Sequence, residues 1–367
     1  MASKRPAPES PPCYAQMIPG LEPVAADEIA RDLGGRVKRT APGLVVFRAE
    51  IDKSLLQLRT VEDVFLFAWG TDKLTHRAED LDRIRRWTAH EVTWDQLLRI
   101  HHAVRPKPKG KPTYHLVSQM NGKHVYRRVD ALKAMARGME GKLPASWRHA
   151  EENASVEVWL TINGSTAVCG LRLSDRTMRH RTYKLEHVPA SLRPTVAAAM
   201  VRLADIKPGN RIADPMCGAG TILAECLGWA RHANVSGLTV LGGDQDRSAV
   251  RKSITNLSRL GAPEIKEWNA LHLPLEGNSL DRIVSNPPFG KQLSRPEEIG
   301  PLYDKMVAEY DRVLKPQGRA VLLVSELGLL KAATRNVGWQ MQRYLRARIL
   351  GQPAAITVWR KGLTTAD

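Results

Sequence analysis

The sequence has no unbroken apolar run approaching the ~18 to 20 residues that cross a bilayer, which argues against a membrane-spanning helix or a membrane partner. Its first residues, Met1 to Pro12, are Pro-rich and polar and lack the apolar core of a secretion signal. Cysteine is scarce: Cys13, Cys169, Cys217 and Cys226 form no CxxC pair and have no histidine at ligand spacing, so neither a disulfide framework nor a structural metal site is expected. A reduced, cytoplasmic compartment fits these absences. Acidic residues are also in deficit, 38 against 55 lysines and arginines, which gives a net charge of +17 and a pI near 9.9. An acidic partner follows, and nucleic acid is the commonest. No repeat at solenoid spacing appears, and nothing suggests a coiled coil, so a monomer is the default.

What is present is a chain of 367 residues, 43% hydrophobic, long enough for two or three domains with real cores. Beyond a flexible segment 1–12, residues 14 to 72 alternate strand-like runs (Tyr14 to Met17, Gly43 to Phe47, Val64 to Trp69) with helix-like ones (Leu21 to Leu33, Asp52 to Leu58), the rhythm of a small α+β domain. The densest basic run lies between Arg105 and Arg148, and within it Arg105 to Pro112 is a Pro/Lys loop unfit for a regular helix or central strand. From Thr113 a strand, a helix over Val129 to Gly138, and alternating strands Ser155 to Ile162 and Thr166 to Leu173 predict a second α+β module carrying that basic field.

From Ser191 the character changes. Arg193-Pro194 opens an Ala-rich helix through Ala204, with proline in its first turn. Short apolar strands follow at Arg211 to Pro215, Val240 to Asp244, Ile265 to Asn269, Arg282 to Asn286 and Ala320 to Ser325, most of them separated by helical segments. That alternation predicts a parallel, doubly wound α/β sheet. The runs Tyr344 to Leu350 and Ala354 to Lys361, parted by Gly351-Gln352-Pro353, read as a terminal hairpin adding an antiparallel edge.

Three motifs sit where such a sheet binds ligands. Asp214-Pro215-Met216-Cys217-Gly218-Ala219-Gly220-Thr221 joins a strand to a helix, and its glycines let backbone approach a ligand where a Cβ would collide. At the end of the next strand, Gly243-Asp244-Gln245-Asp246 offers carboxylates for ribose hydroxyls, Asp244 first and Asp246 behind it. This spacing suits a nicotinamide enzyme or an adenosylmethionine one, but the third glycine of a dinucleotide fingerprint is missing. Asn286-Pro287-Pro288-Phe289-Gly290 decides between them. An exocyclic amine of a nucleobase is a weak nucleophile because its lone pair is delocalised into the ring. Transfer to it gains from acceptors that hold both N–H bonds, which the Asn286 side chain and the Pro287 carbonyl can supply. The prolines fix φ and remove competing donors, and Phe289 presents a flat face for a base turned out of its helix.

These motifs together resemble adenosylmethionine-dependent amino-methyltransferases of the Rossmann-like class. More narrowly, the chain is similar to the THUMP-containing RNA guanine-N2 methyltransferases, whose members methylate a guanosine of the tRNA acceptor stem, at position 6, or other structured RNA. The resemblance implies a ferredoxin-like N-terminal domain over 13–75, a THUMP module over 76–175, a basic linker over 176–192 that includes Arg179 and Arg181, and a catalytic domain over 193–367. It implies S-adenosylmethionine as cofactor and tRNA as substrate. Catalytic roles fall to Asn286, Pro287 and Phe289, and cofactor contacts to Asp214, Met216, Gly218, Gly220, Thr221, Asp244, Gln245, Asn269, Ala270 and Asn286. Asn269-Ala270 stands where such families often carry Asp-Ala, and Phe289 where tyrosine is common.

Other readings stay beside these. Cys217 lies in the cofactor loop yet reads as a small buried residue, since amine methylation needs no covalent intermediate. The basic run would grip RNA phosphates through Lys107, Lys109, Lys111, Arg127 and Arg128, with Arg179 and Arg181 of the linker as further RNA contacts. His76, His101 and His102 have no partner at metal spacing, and Trp69, Trp159, Trp229 and Trp359 read as core. Two rival functions share the motifs: adenine-N6 or ribosomal guanine-N2 methylation, and a non-catalytic RNA-binding or chaperone role.

Overall fold

The computed structural model describes residues 11–105, 110–189, 191–261, 263–289, 296–349 and 351–362. The chain divides into two compact units: residues up to Gln16 with Ala26–Met178, and Met17–Ala25 with Arg179–Asp367.

The first unit is built on one sheet of eight strands. In chain order its elements are β1 (Cys13–Gln16), α1 (Glu22–Asp32, which begins in the other unit), β2 (Arg36–Ala41), β3 (Leu44–Arg48), a 3₁₀ turn (Lys53–Gln57), β4 (Asp63–Thr71), α2 (Glu79–His90), α3 (Trp94–Val104), β5 (Thr113–Asn121), α4 (Arg128–Met139), β6 (Arg148–His149), β7 (Val156–Asn163), β8 (Thr166–Arg172) and α5 (Thr177–His180). The strand order is β2-β3-β1-β4-β8-β7-β5-β6. The expected division between residues 75 and 76 is therefore crossed: β4 pairs antiparallel with β8, Phe65 opposite Arg172, so two separate α+β sheets become one. Tyr14 stacks on Phe65 with ring centroids 4.5 Å apart in its core. The sequence reading passed over α2 and α3, whose buried stripes are Ile84 and Thr88, then Leu97, Leu98, His101 and Val104. His101 is a core histidine, its pKa pushed down to about 4 by burial.

The second unit holds the α/β sheet. Its elements are α6 (Pro194–Leu203), β9 (Arg211–Asp214), α7 (Thr221–His232), β10 (Thr239–Asp244), α8 (Arg247–Leu257), β11 (Glu264–Glu267), β12 (Leu280–Ser285), α9 (Ile299–Val313), β13 (Leu314–Val324), α10 (Leu327–Asn336), β14 (Gln340–Ile349) and β15 (Gln352–Arg360). The order β11-β10-β9-β12-β13-β15-β14 starts with five parallel strands, and β15 enters antiparallel between β13 and β14. The terminal hairpin thus forms that edge. Apolar strands here are covered on both faces: Tyr303, Met306 and Tyr310 of α9 are fully buried, as are Val196, Ala197, Ala199 and Met200 of α6. The order reverses between β9 and β12, and such a switch point opens a crevice at the strands' C-terminal ends.

Candidate active site

A cleft of about 390 Å³ occupies that crevice. Nine of the expected cofactor residues line it: Asp214 and Met216 after β9, Gly218 and Thr221 at the start of α7, Asp244 and Gln245 after β10, Asn269 and Ala270 after β11, and Asn286 after β12. Four loops that are distant in sequence meet because parallel strands deliver their C-terminal ends to one edge.

Hydrogen bonds knit the loops together. The Gly218 and Asp246 amides donate to the two carboxylate oxygens of Asp244 at 2.9 and 3.0 Å, and the Cys217 amide donates to the Gly243 carbonyl at 2.8 Å. Asp246, the alternative ribose ligand, caps α8 by accepting from the Ser248 amide at 2.8 Å. Gly220 is the tenth expected cofactor residue, and it is absent from the cleft wall. Its φ of +76° and its Cβ position, 2.4 Å from Ser253 Oγ, mark a tight turn packed on α8. Gly243 is needed for a neighbour: a Cβ there would meet the Trp268 ring at 2.3 Å. Trp268, 5% exposed, forms a cleft wall that the sequence reading missed, although it immediately precedes Asn269 at the same strand end.

Electrostatics single out Asp214. Its carboxylate is 1% exposed, and burial first, then the neighbouring Asp244, push its pKa up to about 7. The Ser285 hydroxyl and the Met216 amide, both donating to Oδ1 at 2.7 and 3.2 Å, act in the opposite direction. Cys217 is buried and burial pushes its thiol well up, which leaves it neutral and unsuited to nucleophilic attack.

Asn286 follows β12 directly, and its Oδ1 is buried without a hydrogen-bond partner. A buried acceptor left open is costly, typically ~1 to 3 kcal/mol, so one at the wall of a cleft is a position prepared for a donor. Pro288 lines the same cleft, while Pro287 is buried and Phe289 half-buried away from its wall. Asn269 lies beyond β11, whose strand ends at Glu267 and not Asn269, and it is exposed; its Oδ1 accepts from the Leu271 amide at 3.0 Å.

The segment read as a basic linker is a strap on the second unit, and Val188, Pro189, Ser191 and Leu192 complete the cleft. Asn256 of α8, 2% exposed, holds it: its Oδ1 accepts from the Leu185 and Glu186 amides at 2.9 and 2.8 Å, and its Nδ2 donates to the Glu186 and Ala219 carbonyls at 3.0 and 2.9 Å. No periodicity marks such a segment in the sequence. Arg181 differs from its expected RNA-binding role. Its guanidinium turns in to Glu225, 3.3 Å away and 0% exposed, which also accepts from the Tyr183 hydroxyl at 2.7 Å. Arg179 is half-buried.

The other expected RNA contacts lie on the first unit. Lys107 and Lys109 fall outside the described residues, as does Gly290 of the Asn-Pro-Pro-Phe loop. Lys111 is exposed, Arg127 is exposed beside Asp130 at 3.3 Å, and Arg128 donates to the Ser118 carbonyl at 3.2 Å. Among the described residues no group of three or more metal-ligating side chains occurs, and no helix is long and apolar enough to cross a membrane.

The strand order, the switch-point cleft and the loop carrying Asn286 define a Rossmann-like methyltransferase domain. Residues 181–352, just under half of the chain, match the model of the family described as UPF0020: RMKL-like, methyltransferase domain. The chain is 29% identical over 328 residues to the tRNA (guanine(6)-N2)-methyltransferase of Thermus thermophilus, covering 86% of this chain and 89% of that one. It is 30% identical over 233 residues to the tRNA (guanine(6)-N(2))-methyltransferase THUMP3 of Mus musculus, which covers 59% of this chain. The chain spans under half, 45%, of the mouse and bovine relatives' length. The crystal structure of TrmN from Thermus thermophilus is similar over 96% of this chain and all of that one, with a TM-score of 0.77 and 25% identity.

Proposed function

We propose that the protein is an S-adenosylmethionine-dependent methyltransferase that forms N2-methylguanosine in RNA, with tRNA as the substrate and guanosine 6 of its acceptor stem as the position. The observation that carries the reading is the buried, unpartnered Asn286 Oδ1 at the wall of the switch-point cleft that Asp214 also lines. The names borne by the relatives point to the same atom and RNA class.

The residues present fit the cofactor. Asp214 would take its amino group, Asp244 its ribose, and Trp268 and Ala270 would flank its adenine, with the Asn269 amide at the rim. When bound, the cofactor supplies a methyl on a positively charged sulfur. The chain supplies orientation: Asn286 Oδ1 and the Pro287 carbonyl accept the two N–H bonds of the guanine amine and aim its nitrogen. Phe289 would stack the turned-out base. The strap and the apolar cleft wall exclude water, which strengthens every bond inside. The first unit would grip RNA in the manner of a THUMP module, through Lys107, Lys109, Lys111, Arg127 and Arg128 on phosphates. In this reading the protein acts as a monomer in the cytoplasm, where its four buried, unpaired cysteines stay reduced.

The test is incubation of the purified protein with labelled S-adenosylmethionine and separate pools of unmodified tRNA and rRNA, followed by nucleoside analysis. N2-methylguanosine in tRNA is expected. Label in N6-methyladenosine or in rRNA would replace the target, and cofactor binding without transfer to either pool would overturn the reading.

A further inference from the structure

The terminal hairpin carries charge that the site above does not use. Between Glu326 and Asp367 the sequence has no carboxylate and seven lysines and arginines. Burial alternates along the end of β14: Leu345, Ala347 and Ile349 are buried, while Tyr344, Arg346 and Arg348 are exposed on the opposite face. Tyr344 is 42% exposed, a large value for an aromatic on a sheet. The Arg346 guanidinium and the ammonium of Lys331, on α10, each stand 5.8 Å from the centre of its ring. A groove of about 490 Å³ continues from this face, with Pro19, Gly20, Leu327 and Ala355 along it and Arg346 and Arg348 at its side.

Topology fixes where this face lies relative to the cleft. Strand register runs in one row from Ser285 to Leu322, Thr357 and Tyr344. Three steps of the ~4.8 Å strand spacing put Tyr344 roughly 14 Å from Ser285. Both pairings of β15 are antiparallel, so β14 runs parallel to β12, and Arg346 and Arg348 emerge at the edge from which the Asn286 loop emerges. A polyanion whose nucleotide enters the cleft has this charged edge within about 14 Å, two to three nucleotide steps along its backbone.

We propose that this face is an RNA-binding site on the catalytic unit: Lys331, Arg346 and Arg348 hold phosphates next to the modified nucleotide, and Tyr344 with the groove floor takes a neighbouring base. An aromatic ring set among cations over an apolar floor is what a single-stranded segment needs, since every base has a stackable face and every linkage a negative charge. The inference rests on the RNA substrate proposed above, and adds a contact surface distinct from the basic field of the first unit.

Binding of unmodified tRNA, measured by filter retention across a series of salt concentrations, tests it. The pair Lys331→Glu and Arg346→Glu together should weaken binding at least tenfold, and the slope of log affinity against log salt should fall by about 1.4, because each lost phosphate contact on a single strand removes ~0.7. Tyr344→Ala should weaken binding about fivefold or more without changing the slope. In turnover the double variant should raise KM for tRNA more than it lowers kcat, and Arg346→Lys should restore the slope. Calorimetric affinity for S-adenosylmethionine should be unchanged in all of them, which separates a lost contact from a lost fold. Wild-type affinity and slope in a double variant that still binds the cofactor would overturn the site and leave the functional reading intact; failure of the unsubstituted protein to bind tRNA would overturn both.

Discussion

The Ser285 hydroxyl donates to the buried Asp214 carboxylate at 2.7 Å, tying the last residue of β12 to the last residue of β9 across the switch point. The residue after Ser285 is Asn286, so one hydrogen bond sets the spacing between the group that would hold the cofactor and the group that would hold the amine. It also opposes the burial that pushes the Asp214 pKa up to about 7. The sign follows. A carboxylate raised in the folded state keeps its proton while the unfolded chain ionises, so without ligand the protein loses stability as pH rises from about 4 to about 7. Cofactor binding through an ionised Asp214 should strengthen over the upper part of that range and level off above it. In Ser285→Ala the rise should move to higher pH, and Ser285→Thr should return it. Calorimetric titration between pH 5.5 and 8 reads this, and an unmoved profile in the alanine variant would remove the coupling.

Asn286→Ala removes the open acceptor. Methyl transfer should fall at least about 100-fold, the scale of losing one preorganised polar contact to the reacting group. Affinities for cofactor and tRNA should stay within about threefold. Single-turnover rates with saturating RNA give the answer, and wild-type turnover would discard the role given to Asn286.

Arg181→Ala distinguishes a structural cation from an RNA contact. With its guanidinium gone, the fully buried Glu225 loses an ion-pair partner 3.3 Å away. Removing one partner of a buried ion pair costs about 3 kcal/mol, which corresponds to roughly 6 to 12 °C in Tm for a domain of this size. The salt slope of tRNA binding should not change. A lowered slope with unaltered Tm would put Arg181 back on the RNA surface.

How much of this was legible in the sequence depends on how local each feature is. Asp214 to Thr221, Gly243-Asp244 and Asn286 to Phe289 are short segments whose chemistry is set by neighbours along the chain, and six of the seven cofactor contacts expected within them line one cleft. Gly220 was expected beside the ligand but does not line the cleft, because a GxG pattern marks a tight turn without saying which glycine faces outward. The β4–β8 pairing joins residues about a hundred apart, and nothing in either strand names its partner, so one sheet was read as two domains. Arg181 was counted as an RNA contact because the sign of a charge does not reveal which way a side chain turns. The Asn256 clamp was invisible for a related reason: a lone asparagine in a helix gives no hint of a strap crossing it.

Gly243→Ala tests the cleft wall. The added methyl would overlap the Trp268 ring, with Cε3 at 2.3 Å and Cδ2 at 2.4 Å, so either the ring or β10 must move. Overpacking of this kind costs about 1 to 3 kcal/mol. Because Trp268 lines the cleft and the Gly243 carbonyl receives the Cys217 amide, cofactor affinity should fall tenfold or more, alongside a drop in Tm. Calorimetry at a temperature well below the new midpoint separates the two effects; unchanged affinity there would show that Trp268 does not shape the cofactor site.

Asn256 offers the most discriminating pair of variants, because its amide joins the strap to the glycine loop with two bonds accepted and two donated. Asn256→Ala leaves the Leu185 and Glu186 amides and the Glu186 and Ala219 carbonyls without these bonds, and should cost about 2 kcal/mol after water or relaxation recovers some of them. Asn256→Asp keeps the acceptor for the two strap amides but sets a carboxylate oxygen against the two carbonyls. If the bond to Ala219 is what holds the glycine loop in shape, both variants should raise the cofactor dissociation constant to a similar degree, whereas the strap, followed by protease cleavage near Lys184, should loosen more in the alanine variant. Should the aspartate variant bind cofactor as the unsubstituted protein does, the clamp acts on the strap alone, and the glycine loop is held by the Gly218 bond to Asp244 and the Cys217 bond to Gly243.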